Sequence, residues 1–180
     1  EAFKWHTRYA EQGDALSQLS LGLLYAQGKG VQQDYEEALK WYTKSAEQGF
    51  ALAQTTLGSM YFDGEGVKQD YKEAVKWFTK AAEQGYADAQ LFLGLMYALG
   101  NGVPKNSAES YKWCLISHAN GKETAMKLGD SVKKELTPSQ IEKAQKEAKE
   151  FGVNKEDKVT KPILEGNGLA LPLPDNGSVK

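Results

Sequence analysis

The sequence predicts an all-α chain, an α-α superhelix of 36-residue helix-turn-helix units closed by a C-terminal helix and followed by an extended tail. Three observations carry this. Tryptophan recurs at Trp5, Trp41, Trp77 and Trp113, a constant step of 36 residues. Short motifs keep the same step: Ala-Glu-Gln-Gly at 10–13, 46–49 and 82–85, Leu-Gly ahead of Tyr25, Tyr61 and Tyr97, and Gly-x-Gly-Val at 28–31, 64–67 and 100–103. No segment sustains the period-two alternation of a half-buried strand. A fixed period of tens of residues marks stacked supersecondary units, each burying its apolar face against its neighbours.

Within a unit the first helix is expected over about 14–26, where Ala15, Gln18, Leu21, Gly22, Leu24 and Tyr25 recur at steps of three and four on one helical face. The second is expected over about 35–48. Asp34 precedes it and Glu37 follows three residues on, the spacing of a capping box in which the aspartate accepts from early amides and the glutamate reaches back. Asp70/Glu73 and Asn106/Glu109 repeat the arrangement, and Gly49, Gly85 and Gly121 stand where a left-handed residue ends a helix. Gln18, Gln54 and Gln90 are expected to hydrogen-bond between units. Residues 1–12 read as a lone second helix whose partner lies upstream, so more repeat material is expected before Glu1. The last unit, 113–135, is degenerate: His118 stands for Ala46 and Ala82, Ile116 for Lys44 and Lys80, and Leu128-Gly129 comes one residue early. A closing helix is expected over 137–151, with Thr137 as N-cap, Pro138 at its first position and Gln140 completing a capping box. Residues 152–180 form the tail, rich in Pro and Gly, and the stretch 162–174 is expected to dock on its own or a neighbouring solenoid.

Composition narrows the function. The 180 residues are 41% hydrophobic and carry a formal net charge of -2, which argues against a general nucleic-acid binder. No run of 18 apolar residues suggests a membrane span. Cys114 is the single cysteine, and His6 and His118 are far apart, so a zinc site and an intrachain disulfide are not expected.

The motifs "WFTKAAEQG" (77–85), "ALAQTTLGSMY" (51–61) and "GEGVKQDYKEA" (64–74) resemble the Sel1-like repeat family over about residues 1–121. That resemblance implies a right-handed solenoid related to tetratricopeptide repeats, acting as an adaptor or binding scaffold and not as an enzyme. It also leaves room for an inhibitor or immunity-type role against a toxin or enzyme. The sequence leaves the compartment open; the resemblance favours an exported or periplasmic one.

With the motif positions set aside, a second stripe remains on the first helices: Leu16, Leu19 and Leu23 in unit one, Leu52, Thr55, Ser59 and Phe62 in unit two, Asp88, Leu91, Leu95 and Leu99 in unit three. In related repeat folds the first helices line the concave face. A stripe this apolar is expected to bind a partner protein or peptide.

Rival chemistries lack a constellation. A hydrolase-like enzyme would need clustered titratable groups, and with two histidines no Ser/His/Asp order emerges. His118 reads as a buried, hydrogen-bonded side chain and Cys114 as packing filler in the place of Tyr42 and Phe78. The recurring glutamates read as caps and solvated groups. Trp41, Trp77, Tyr25, Tyr61 and Tyr97 fall at core phases with no basic stripe beside them, unlike a base-stacking platform. Gly28-Lys29-Gly30 has the look of a phosphate cradle, but the equivalent loops carry Glu65 and Asn101, and no strand precedes it. No catalytic, cofactor or metal residue is assigned.

Overall fold

The computed structural model describes the backbone of residues 2–159 and the side chains of residues 3–152; the expected tail contact at 162–174 lies outside these. Helices are the only regular elements of the described backbone: α1 (Ala2–Glu11), α2 (Ala15–Gln27), α3 (Tyr35–Glu47), α4 (Ala51–Asp63), α5 (Tyr71–Glu83), α6 (Ala87–Leu99), α7 (Ser107–Ala119), α8 (Ala125–Lys133) and α9 (Pro138–Val159). Helices α2/α3, α4/α5 and α6/α7 are three successive helix-turn-helix units. Each helix packs chiefly on its neighbours in sequence, and α9 returns to lie on α7. This is an α-solenoid.

The units are held by apolar packing at close range. A Cβ at Gly58 of α4 would stand 2.5 Å from the Phe78 ring, so the absence of a side chain lets α4 and α5 cross closely. One cluster joins Tyr42, Leu57, Met60 and Trp77 across units one and two; the next joins Phe78, Leu93, Met96, Trp113 and Ile116. Lys80 Nζ lies 4.3 Å from the centroid of Trp77 and Lys44 Nζ 4.0 Å from that of Trp41, covering the outer faces of these rings. Trp5 departs from the pattern: it is exposed, and its ring contacts among the described residues, His6 and Tyr9, lie on its own helix.

The expected polar joint between units is present and repeats in register. Gln18, Gln54 and Gln90 donate through Nε2 to the carbonyls of Ala10, Ala46 and Ala82 in the preceding helix. Their Oε1 atoms accept from Gln48, Gln84 and Asn120, the C-cap residues of the following helices, at 2.7, 2.8 and 2.9 Å. Each glutamine therefore ties three successive helices, and burial makes those bonds costly to lose.

Helix ends follow the predicted chemistry with one correction. Asp34 Oδ1 accepts from the amides of Glu36 and Glu37, and Asp70 and Asn106 do the same one and two units later. The reciprocal half of these capping boxes is missing. The cap amide already donates to the preceding helix, Asp34 to the Tyr25 carbonyl and Asp70 to that of Tyr61, and Glu37 and Glu73 turn to Lys40 and Lys76. Only Thr137/Gln140 closes a full box, with Thr137 N donating to Gln140 Oε1 at 2.9 Å and Gln140 N to Thr137 Oγ1 at 3.3 Å. In the Gly-x-Gly loops the second glycine has φ of +71° at both Gly66 and Gly102, and a Cβ there would collide with Tyr35 or with the Tyr71 backbone. Val67 and Val103 then pack on the two clusters, fixing the loops to the stack.

The C-terminal end closes the stack by other means. Cys114 is fully buried where Tyr42 and Phe78 stand in earlier units. Gly94 of α6 faces its Sγ and Gly129 of α8 its Cβ, so a small residue lets two helices approach α7 at once. Burial pushes the thiol up to about 12. Ile116 is buried beneath α9, and Trp113 meets Phe151 of α9 edge to face at 5.3 Å. His118 is exposed, not buried as its alignment with Ala46 and Ala82 suggested. Those alanines face the first helix of a following unit, whereas α8 is short and enters one residue out of register.

Candidate functional site

The eleven residues of the predicted stripe all lie on α2, α4 and α6, but they do not share one environment. Leu16, Leu23, Leu52 and Leu99 project into solvent, with 58, 47, 41 and 57% of their surface exposed. Ser59, Phe62, Asp88, Leu91 and Leu95 are partly buried. Leu19 and Thr55 are buried, which removes them from the accessible surface. They occupy the same register position and face the adjoining unit: Leu19 packs in the cluster with Ala53 and Leu57 of α4. Thr55 returns its hydroxyl to the Ala51 carbonyl at 2.9 Å.

What remains is a face whose apolar groups sit at both ends and toward the third unit. One of its polar members is engaged locally. Asp88 forms an ion pair with Lys122 in the turn after α7. Phe62 lies 5.5 Å from Tyr71 and 6.1 Å from Phe92, contributing to the joint between units two and three more than to the open surface.

A recess that the spacing of the stripe does not reveal lies at the loop-side end of this face, between units one and two. It has a volume of about 470 Å³, and its walls include Leu23, Ala26, Thr56, Met60 and the ring of Tyr42. Glu65 and Tyr35 form a polar edge, where the Tyr35 hydroxyl donates to Glu65 Oε1 at 2.8 Å and receives Gln33 Nε2 at 3.1 Å. The carboxylate beside it raises the Tyr35 phenol above its ordinary range. Tyr42 is pushed up to about 12, first by burial and then by the nearby Glu65 charge. These residues come from three helices and two loops, each at a position that reads as structural within its own unit. Comparing units in register exposes the signal: Ala26 and Thr56 are small where Phe62 and Phe92 are large.

No group of three or more His, Cys, Asp or Glu residues close enough to share a metal ion occurs among the described residues. None of the described helices is long and apolar enough to cross a membrane.

Comparison with known proteins fits this architecture. The Sel1 repeat profile matches residues 1–14, 15–50, 51–86 and 87–117 in succession. A Sel1 repeat protein from Oxalobacter formigenes, solved by crystallography, is 41% identical and superposes with a TM-score of 0.62 over 63% of this chain and 47% of its own. The protective antigen c5321 of uropathogenic Escherichia coli is 27% identical, with a TM-score of 0.55 over 93% of this chain and 45% of its own. The chain thus spans a little under half the length of each of these two. Cysteine-rich protein B of Helicobacter pylori, 24% identical, shares the fold, with a TM-score of 0.56 over 71% of this chain and 91% of its own. A search of curated proteins finds no significant match. Sel1 repeat proteins generally mediate protein–protein interactions, and their solenoid is typically a non-catalytic scaffold. With four repeat matches running through residues 1–117, the chain belongs to the Sel1 repeat family.

Proposed function

We propose that this chain is a protein-binding module whose partner, a protein or peptide, lies across the face built by α2, α4 and α6. One observation carries the reading: Leu16, Leu23, Leu52 and Leu99 stand exposed on helices whose other faces are packed into the stack. Leu91 and Leu95 extend the surface from half-buried positions, and Ser59 and Asp88 give it polar breaks. Single exposed leucines are ordinary, but a series confined to one face of successive units supplies the apolar area that recognition of a peptide or helix requires. The outer side differs, because Lys40, Lys44, Lys76 and Lys80 dominate it. Adaptor function follows from such a face without any catalytic group.

A photo-crosslinking residue placed at position 52 or 99 is expected to trap a partner that the same residue at position 40 or 76 does not, read by pull-down and mass spectrometry. Leu52→Asp and Leu99→Asp should leave the helical circular dichroism and the melting temperature nearly unchanged while abolishing the crosslink. Equal trapping from the outer positions, or unfolding by these substitutions, overturns the reading.

A further inference from the structure

The recess between units one and two has a built-in template for its occupant. One unit on, the same backbone frame is present: Gln33 donates to the Ala26 carbonyl at 2.7 Å, and Gln69 to the Phe62 carbonyl at 2.7 Å. The side chains within the frame differ. In the second frame Phe92 stacks on Phe78, with ring centroids 4.6 Å apart and planes 4° from parallel, and Phe62 closes over the pair. In the first frame Thr56 replaces Phe92, Ala26 replaces Phe62, and Tyr42 takes the place of Phe78. The space of two phenyl rings is left open at one joint and filled at the next.

The open joint also carries polar groups that the filled one lacks. Tyr42 is 3% exposed, lines the recess and gives its hydroxyl no hydrogen-bond partner among the described residues. Glu65 stands at the edge with one carboxylate oxygen on Tyr35; its counterparts in the neighbouring loops are Lys29 and Asn101. A cavity of roughly 150 Å³ holds a benzene ring, so about 470 Å³ leaves room for a ring and the chain that bears it.

We propose that this recess receives one aromatic side chain of a bound peptide, with a basic residue beside it facing Glu65. The ring takes the place that Phe92 holds one unit on, over Tyr42, and the basic group meets the carboxylate at the edge. The proposal rests on the reading of the first-helix face as an interaction surface and adds the chemistry of what it binds. Residues 153–180 do not supply the ring, since they contain no Phe, Tyr or Trp.

The test uses the full chain and three blocked tripeptides, acetyl-Lys-Phe-Ala-amide and its Lys-Leu-Ala and Glu-Phe-Ala counterparts, with binding read from the amide resonances of Ala26 and Thr56. The Lys-Phe peptide is expected to bind about fivefold tighter than the Lys-Leu peptide, the range set by aromatic pairing beyond area, and tighter than the Glu-Phe peptide. The double substitution Ala26→Phe/Thr56→Phe copies the pair that the next joint already accommodates, and it should abolish binding while the far-ultraviolet spectrum is kept. Glu65→Gln leaves the cavity intact and should remove the preference for lysine over glutamate while keeping that for phenylalanine over leucine. Equal binding of the Phe and Leu peptides, no saturable shift at Ala26 and Thr56, or binding that survives the filled recess each overturns the proposal. Crosslinks from positions 52 and 99 report on the face separately. Their persistence alongside a failed peptide test removes the recess and leaves the face standing.

Discussion

Gln54 belongs to two units at once. It is buried, donates to the Ala46 carbonyl in α3 and accepts from Gln84 at the C-cap of α5. Replacing it with leucine removes both bonds, but the Ala46 carbonyl still accepts from the Gly49 amide and Gln84 is exposed, so the loss should be that of ordinary hydrogen bonds, about 0.5–1.5 kcal/mol each. Urea unfolding of Gln54→Leu should show that loss. In a double-mutant cycle with Gln84→Leu the two losses should fall short of additivity, because both remove the same bond; full additivity would mean that the bond carries no coupling. Cys114 governs a different dependence. Its thiol is held at about 12 in the folded chain against an ordinary 9.0, so on raising pH the unfolded chain ionises first. The stabilisation is complete below pH 9 and is lost as the pH rises from there toward 12. Tyr42 acts in the same sense from 10 upward. The urea midpoint of the wild type should therefore begin to fall near pH 9, and that of Cys114→Ala only near pH 10, where the raised phenols of Tyr35 and Tyr42 remain. Coincident declines would show that the thiol does not contribute.

At the scale of the element, the second helices begin on a cap that works from one side only. Asp70 accepts two amides of α5, whereas Glu73 pairs with Lys76 at the surface and never reaches back. Asp70→Ala should cost about 0.5–2 kcal/mol, the usual value of an N-cap. Glu73→Gln should cost no more than about 0.5 kcal/mol, the value of an exposed pair on a helix. Equal losses in thermal or urea unfolding would show that the box is closed after all. The contrast also marks what a one-dimensional reading carries. Helix starts, cap identities, left-handed glycines and the glutamine joints follow from short spacings and their recurrence and were legible; the end of the closing helix was not, since α9 runs to Val159 where a helix ending at 151 and an extended tail from 152 were expected. The missing half of the cap was not, because the competing acceptor, the Tyr61 carbonyl, lies in another helix. The same limit separated Leu16, Leu23, Leu52 and Leu99, which project into solvent, from Leu19 and Thr55, which the neighbouring unit covers. Spacing defines a stripe on one helix; burial depends on how closely the next helix approaches. His118 is the converse case, exposed because the helix that covers Ala46 and Ala82 in earlier units has no in-register counterpart after α7.

Across the whole molecule, stability is a sum of contacts between neighbours. Among the described residues the helices pack chiefly in sequence order, and the main exception is α9 on α7. In such a stack a local defect stays local, because no distant element shares the packing it removes. Ile116 offers the test. Its counterparts Lys44 and Lys80 are exposed on second helices, whereas Ile116 lies buried where α9 passes, near Ala148 and Phe151. Ile116→Lys would return the residue kind of the earlier units to a site that α9 covers, and an unpaired ammonium there is costly enough to lift the helix away. The N-terminal part of α9 keeps a separate hold, through Ile141 and Ala144 on the cluster of Tyr111 and Val132. Amide hydrogen exchange should therefore accelerate most over residues 145–151 and less over 138–144. Protection in α2 to α5 should stay at wild-type rates, because none of their packing partners has changed. A uniform loss of protection would instead mean that the units unfold as one body, and the additive description of the stack would fail.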